Sequence, residues 1–419
     1  MKKVCKIRCY PNKYQENKIN QILGACRFIM NKYIEYNQNA YKEDKKFITA
    51  YDFSKIINKL KKYDSDYEWL DDISSKAISN ALITQEKAFK NFFRKIKRNE
   101  KTSYPKFKSR KKMRKESFFF IKDNIHFNTG KKNIIQIPIL KYIRITERNY
   151  LPNNESITSG RLIREDDKYY LMFIYDVKRK HQIPLIKGLG IDLGIKNYMS
   201  LSTETNSMSI KHFKDYDNYK KISEKITYIQ RLISKKQEIN YWRLLNLYMD
   251  KHKGEEPNET TKNIMKGESY NTSQIKKLQK KLRRLNEYKA NIRKDFIQKS
   301  VYEIVVRVKP KYITIEDLSI SNMISTIEEG NHDLHRYISE SGFYYFRECL
   351  TYKTYEYHTE LRIAEKYFAS SKTCSDCGCK VKHLTLNDRI FICPECGLKI
   401  DRDINASINL LNTKKYSIA

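Results

Sequence analysis

Residues 373–412, TCSDCGCKVKHLTLNDRIFICPECGLKIDRDINASINLLN, hold the most specific pattern in the chain. Cys374 and Cys377 form one C-x-x-C pair and Cys393 and Cys396 a second, with fifteen residues between the pairs. Four thiolates in two such knuckles meet the tetrahedral demand of a closed Zn²⁺ site. Gly378 and Gly397 follow the pairs, where a tight turn around a metal favours a residue without a Cβ. A lone C-x-x-C reads equally well as a redox dithiol, whereas two in register read as zinc. All four positions are filled by protein, so the expected zinc is structural and not catalytic. Cys379 is a spare thiol beside the first knuckle.

The second half of this stretch, GLKIDRDINASINLLN (397–412), changes period. Ile404, Ile408 and Leu411 share one helical face, which starts a helix near Asp401–Asp403. A helix N-terminus favours an ionised carboxylate, the form that binds a metal ion. Two acids are available there. One reading makes Asp401 the cap and Asp403 a ligand; the other sees only an ordinary cap.

Working outward, two more segments set acids at the ends of apolar strands. In GLGIDLGIKNYMSLS (188–202) Asp192 lies between Ile191 and Leu193, with Gly190 and Gly194 two positions either side. Burying a carboxylate there is costly unless something charged meets it. Glycines let another backbone come close. In KPKYITIEDLSISNM (309–323) Glu316 and Asp317 end a strand announced by Tyr312, Ile313 and Ile315. Acids at the carboxyl ends of sheet strands are often functional, and Glu316 falls right at the strand end. Each acid taken alone is also an ordinary turn or strand-end residue. Together, three acids far apart in sequence can converge on a pair of divalent ions about 3.5–4 Å apart, as phosphodiester hydrolysis requires. Hard oxygen ligands suit Mg²⁺ or Mn²⁺.

Charge points to the substrate class. The 419 residues carry 83 Lys+Arg against 49 Asp+Glu, a formal +34. Heavy use of Lys, Asn, Ile, Tyr and Phe is what an AT-rich genome gives, but such a bias does not remove Glu. A surplus of this size faces a polyanion; a ribosomal-type or membrane-surface protein would carry it too. Between Arg94 and Lys115 stand twelve Lys or Arg and a single Glu, interleaved with Tyr104, Pro105 and Phe107. That mixture predicts a strand-and-loop surface that grips phosphates and stacks bases, using Tyr104, Lys106, Phe107, Lys108, Arg110, Lys111 and Lys112. A solvated helix face is the plainer alternative.

The remaining chain falls into blocks. KVCKIRCYPN alternates as a strand, and residues 13–97 recur at helical spacing. Short alternating stretches from Phe118 to Val177 suggest a small β-barrel. Two long basic helices are expected near Tyr219–Tyr248 and Ser273–Val306, joined by a polar loop. Cys5, Cys9, Cys26 and Cys349 read as packing residues, and the histidines show no ligand spacing. No apolar run reaches the ~18 residues of a membrane helix, and MKKVCKIRCYPNK lacks the apolar core of a secretory signal. The expected setting is a prokaryotic cytoplasm, with action at the nucleoid and no membrane partner.

These segments resemble TnpB, the insertion-sequence-encoded RNA-guided DNA endonuclease related to compact type V CRISPR effectors. The resemblance runs through RCYPNKYQENKINQILGACRFIMNKYI, YPKFKSRKK, GIDLGIKN, ITIEDLSISNM and the zinc-to-DRDINASINLL stretch. It implies a multidomain α+β protein with a RuvC nuclease domain of RNase H-like mixed sheet and helices at 181–366 and 398–419. A four-cysteine zinc ribbon at 367–397 is inserted in it, as a target-nucleic-acid-binding module. A wedge β-barrel at 1–12 and 118–180 is split by a helical recognition domain with a basic arm at 13–117. Asp192, Glu316 and Asp403 are then the catalytic, Mg²⁺-binding acids. The partners are a guide RNA and double-stranded target DNA, with one chain per RNA or, alternatively, a dimer. Ser407 departs from the second Ala of the family's DRDxNAA pattern, and the loop between the basic helices is long. A CRISPR effector, a nuclease-dead RNA-guided repressor and an unguided transposase-like DNA-binding protein are the alternatives.

Overall fold

The computed structural model describes the chain except residues 1, 44–46, 111–112, 124, 128, 147–150, 153–155, 319–331, 367, 382–383 and 385–387. It is a mixed α/β, multidomain chain of two compact units, Met1–Lys178 and Arg179–Ala419.

The first unit opens with β1 (Lys2–Tyr10), whose alternation buries Ile7 and Cys9. The Pro-Asn that follows caps a helix. Asn12 Oδ1 accepts from Gln15 N at 2.9 Å, and Asn12 N donates back to Gln15 Oε1 at 3.0 Å, a reciprocal capping box. This starts α1 (Lys13–Glu43), after which come α2 (Ala50–Tyr63), α3 (Ser65–Glu68) and α4 (Ser75–Lys97). Five strands complete the unit: β2 (Lys115–Ile121), β3 (Ile134–Ile137), β4 (Lys141–Ile145), β5 (Ile157–Glu165) and β6 (Lys168–Asp176). They form one antiparallel sheet ordered β2-β5-β6-β1-β4-β3. The first strand in sequence thus lies inside the sheet, between β6 and β4, and the four helices are an excursion between β1 and β2. Glu116, buried at the start of β2, is clamped by the guanidinium groups of Arg27 and Arg164. That pairing offsets the cost of desolvating it.

The second unit holds β7 (Ile186–Leu193), β8 (Asn197–Ser202), β9 (Ser207–Lys211) and the helices α5 (Asp217–Lys251), α6 (Glu259–Ser269) and α7 (Ser273–Tyr302). A π-helical turn, Glu303–Val308, leads through left-handed Lys309 into β10 (Pro310–Ile315). Then follow α8 (His332–Ser341), α9 (Phe343–Tyr357), β11 (Glu360–Ala364), β12 (Ile390–Ile392), β13 (Lys399–Asp401), α10 (Arg402–Asn412) and β14 (Tyr416–Ile418). The main sheet is ordered β14-β11-β10-β7-β8-β9, with β10 parallel to both β7 and β11 and the outer strands antiparallel. Gly188 through Asp192 are buried without alternation, because both faces of β7 are covered. Leu189 and Ile191 face a core with Ile297, Val301 and Phe346 from α7 and α9. On the other face the backbone of α10 lies against Gly190. A Cβ there would stand 2.0 Å from Ser407 O and 2.6 Å from Leu411 N.

Two expectations need correction. The stretch joining the basic helices is not all loop. Asn258 caps α6 through Thr261 N at 2.9 Å, and Met265 and Ser269 are buried. A polar composition hid a helix whose buried contacts are only two side chains. In the basic run, α4 continues to Lys97 and β2 starts at Lys115, so no strand lies in the described residues between them. The segment is instead pinned along α1, where Asn31 accepts from Lys108 N at 2.7 Å and donates to Lys108 O at 2.9 Å.

Candidate active site and zinc module

Period two along β7 puts Gly188, Gly190 and Asp192 on one face. Register pairs Tyr312 with Gly188, Thr314 with Gly190 and Ile315 with Ile191. One step further along both strands brings Glu316 beside Asp192 at the carboxyl edge of the sheet. The helix on this face is α10, whose second residue is Asp403, and a Cβ on Gly194 would lie 3.8 Å from Asp403 Oδ2. Sheet register and one helix therefore bring Asp192, Glu316 and Asp403 together. Asp192 is 8% exposed and Asp403 9%.

Crowding shows in the electrostatics. Burial pushes the Asp192 carboxyl well above its ordinary range; Glu316 and then Asp403 push it further, against a smaller pull from Arg402. Glu316 is also raised by burial, opposed by a hydrogen bond from Ser370 Oγ to its Oε1. Three carboxylates in one dry corner repel, and either a proton or a cation relieves them. Their oxygens do not form a one-ion cluster: among the described residues, only the four cysteines bring all ligand atoms within 4.8 Å of one another. The donor set, three hard oxygens spread wider than one ion needs, fits divalent cations of the Mg²⁺ or Mn²⁺ kind.

The neighbouring acids have other partners. Asp401 is the N-cap of α10, accepting from Asp403 N at 2.9 Å and Ile404 N at 3.1 Å. Asp317 pairs at the surface with Arg347, 2.8 Å away. Residues 319–323 of that segment lie outside the described residues. Ser407, the departure noted in the sequence, has its hydroxyl 2.6 Å from Ser202 Oγ on β8 and donates to Ile404 O at 2.8 Å, so the extra polar atom is satisfied.

The cysteine pairs form twin knuckles. Cys374 Sγ lies 3.6 Å from Cys396 Sγ and Cys377 Sγ 3.4 Å from Cys393 Sγ. Sulfurs around a tetrahedral zinc stand about 3.8 Å apart, so the donors fit Zn²⁺. Gly378 and Gly397 both take φ of 76°, letting their N–H groups return to Cys374 O and Cys393 O at 3.1 Å. Cys379 is outside the group of four. β12 and β13 pair beside the knuckles around buried Phe391.

The basic arm divides. Tyr104 packs edge-on against Phe89 and Phe92, with ring centres 5.3 Å away in each case, so its ring serves the helical core. Phe107 is 54% exposed, Lys106 and Arg110 are exposed, and Lys108 is half-buried. Lys111 and Lys112 lie outside the described residues.

Known proteins resemble this chain along most of its length. Residues 343–410 match the Cas12f1-like TNB domain, and residues 1–46 match a helix-turn-helix domain of the OrfB IS605 type. Here the latter residues contribute β1 and α1. A Streptomyces pristinaespiralis protein named as a candidate RNA-guided DNA endonuclease is 25% identical across 98% of this chain and 89% of its own. TnpB-like protein L79 of Acanthamoeba polyphaga mimivirus is 27% identical across 59% of this chain and 41% of its own. The chain is thus similar to proteins named TnpB-like and RNA-guided DNA endonuclease. The solved mini-RNA-guided endonuclease CRISPR-Cas phi3 aligns over 98% of this chain and 92% of its own, at 12% identity and a TM-score of 0.48.

Sequence reading missed three polar residues beside the acids: Ser370, Asn405 and Asn409. The signal for the two asparagines was their i, i+4 spacing in DRDINASIN, set on a different helix face from Ile404, Ile408 and Leu411. Arg402, which draws Asp192 down and lies 3.5 Å from Asp403, was missed as well.

Proposed function

We propose that this chain is an RNA-guided DNA endonuclease that cuts through one carboxylate site, Asp192, Glu316 and Asp403. The observation that carries the reading is the meeting of these acids at the carboxyl edge of the β7–β10 pair. A mixed sheet with parallel β7, β10 and β11, antiparallel β8 and β9, and α10 laid across it supports a RuvC domain of RNase H-like fold. The naming of its relatives as RNA-guided endonucleases supports the guide. Bound at the acids, Mg²⁺ or Mn²⁺ would activate water and stabilise the leaving oxygen. The chain's own residues do the rest. Asp192 and Glu316 would hold the cation from adjacent strands, α10 would present Asp403 at its positive end, and the buried setting would strengthen each attraction.

The domain reading follows the same lines. Residues 1–12 and 118–180 would form the wedge barrel and 13–117 the helical recognition domain, supported by the sheet that β1 shares with β2–β6. Residues 181–366 and 398–419 would form the nuclease domain. Residues 367–397 would form a zinc ribbon held by Cys374, Cys377, Cys393 and Cys396. Lys106, Phe107, Lys108 and Arg110, with Lys111 and Lys112, would contact nucleic acid, Phe107 by stacking and the cations on phosphates.

The test is cleavage of guide-matched DNA by the chain purified with its RNA. Cutting should require Mg²⁺ and a match to the guide, and Asp192→Ala should abolish it while leaving DNA binding. Purification without any discrete RNA, or cleavage blind to sequence, would overturn the guided reading. A repeat-derived handle on the RNA would place the chain with CRISPR effectors instead of transposons.

A further inference from the structure

Glu316 stands one residue past the end of β10, where no strand pairing fixes its long side chain. Something else must choose its rotamer, since a free Glu samples several. The described partner of its carboxylate is Ser370 Oγ, which donates to Oε1, and Ser370 is 2% exposed. Ser370 belongs to a strap, 370–375, that is held by its backbone. Asn409 Nδ2 donates to Ser370 O at 2.8 Å and to Thr373 O at 2.7 Å. Asn405 Nδ2 donates to Thr373 O at 2.7 Å, and its Oδ1 accepts from Ser375 N at 2.9 Å. Both asparagines are buried. Thr373 and Ser375 flank Cys374, the first cysteine of the zinc knuckles. One helix, α10, therefore carries Asp403 at its start and grips, through Asn405 and Asn409, the strap that ends on Glu316 at one end and on the zinc knuckle at the other.

We propose that Ser370 is a positioning residue that orients the Glu316 carboxylate toward the divalent cation, and that Asn405 and Asn409 tie this orientation to the zinc knuckle. The inference rests on the metal-binding reading of Asp192, Glu316 and Asp403. The hydroxyl occupies Oε1 from the zinc-module side and leaves Oε2 for the cation. Hydrogen-bond partners of metal ligands typically change metal affinity or activity by 10–100-fold when removed.

Mn²⁺ serves as the probe, titrated into the full chain with its RNA and followed by electron paramagnetic resonance. Ser370→Ala should weaken Mn²⁺ binding by about 10-fold and raise the Mg²⁺ needed for half-maximal cleavage in parallel. Zinc content and DNA binding should change little. Ser370→Thr keeps the hydroxyl and should restore affinity. Asn409→Ala should weaken Mn²⁺ in the same direction with zinc still bound. A residue that only supports the fold would lower rate and stability together without moving the metal dependence. If Asp192→Ala loses Mn²⁺ while Ser370→Ala binds it like the parent chain, the positioning role is wrong and the acid site stands. If Asp192→Ala binds Mn²⁺ unchanged, the acid-site reading falls and the Ser370 role falls with it.

Discussion

A buried acid beside two others is a residue whose charge the fold resists. Asp192 holds its proton in the folded chain more tightly than in the unfolded one, so its contribution to stability falls as pH rises from the ordinary carboxylate range through its raised value. Asp192→Asn should accordingly raise the melting temperature of the metal-free chain at pH 8. The gain should shrink as the pH is lowered. Mg²⁺ should stabilise the parent chain but not the variant, and thermal scans with and without Mg²⁺ check both statements. Gly190 is constrained in the opposite sense, by space. A methyl group 2.0 Å from Ser407 O cannot be accommodated without moving α10. Gly190→Ala should cost about 1–3 kcal/mol, the usual penalty of overpacking. The denaturant midpoint should drop and cleavage should fall with it, because α10 carries Asp403.

At the scale of elements, the four-cysteine module is the part most dependent on something other than its own core. Its apolar centre is Phe391 with a few partly buried neighbours, too little to hold the fold without the metal. Chelation should release the amides of 374–381 and 390–396 in hydrogen exchange while β7 and β10 stay protected, and α10 should loosen because Asn405 and Asn409 lose their strap. Loss of protection across the whole main sheet would contradict this hierarchy. A second element holds a titrating lysine. Lys214, in the turn before α5, donates to Tyr337 O at 2.6 Å and sits 3.2 Å from the centre of the Tyr337 ring on α8. Tyr337 in turn donates to Ile195 O, just beyond Asp192. Burial lowers Lys214 to about 7, against a pull from Glu340 and with further lowering from Lys289, Arg293 and Arg336. The unfolded chain binds the proton more tightly, so stability from this group rises between pH 7 and the ordinary lysine value of 10.5. Lys214→Met should flatten that rise in pH-dependent melting.

On the scale of the whole molecule, charge decides partners. A formal +34 held on two compact units should make nucleic-acid binding fall steeply with salt. With 6–10 phosphate contacts, affinity should drop by about 10³–10⁵ between 50 and 200 mM. A nearly flat salt response in filter binding would refute a phosphate-dominated interface. Among the described residues no helix is long and apolar enough to cross a membrane. One chain per RNA is the expected assembly; light scattering of the purified complex would reveal a dimer by its mass.

Spacing alone marked the four cysteines that cluster, because metal geometry is written into C-x-x-C pairs whatever surrounds them. Alternation and helical periodicity likewise exposed β1, β4–β6, α5 and α7, since each has one consistent buried face. The acids could be nominated from sequence only as strand and helix termini. Their meeting needed the parallel register of β7 and β10 and the passage of α10 over Gly190, which are long-range facts. The resemblance already implied that residues 1–12 join 118–180 across the helices; the place of β1 between β6 and β4 is what the folded sheet adds. Ser370 was invisible for the same long-range reason, and Asn405 and Asn409 showed only an i, i+4 spacing without a partner. A buried polar side chain declares its role only through the partner that the folded chain brings to it.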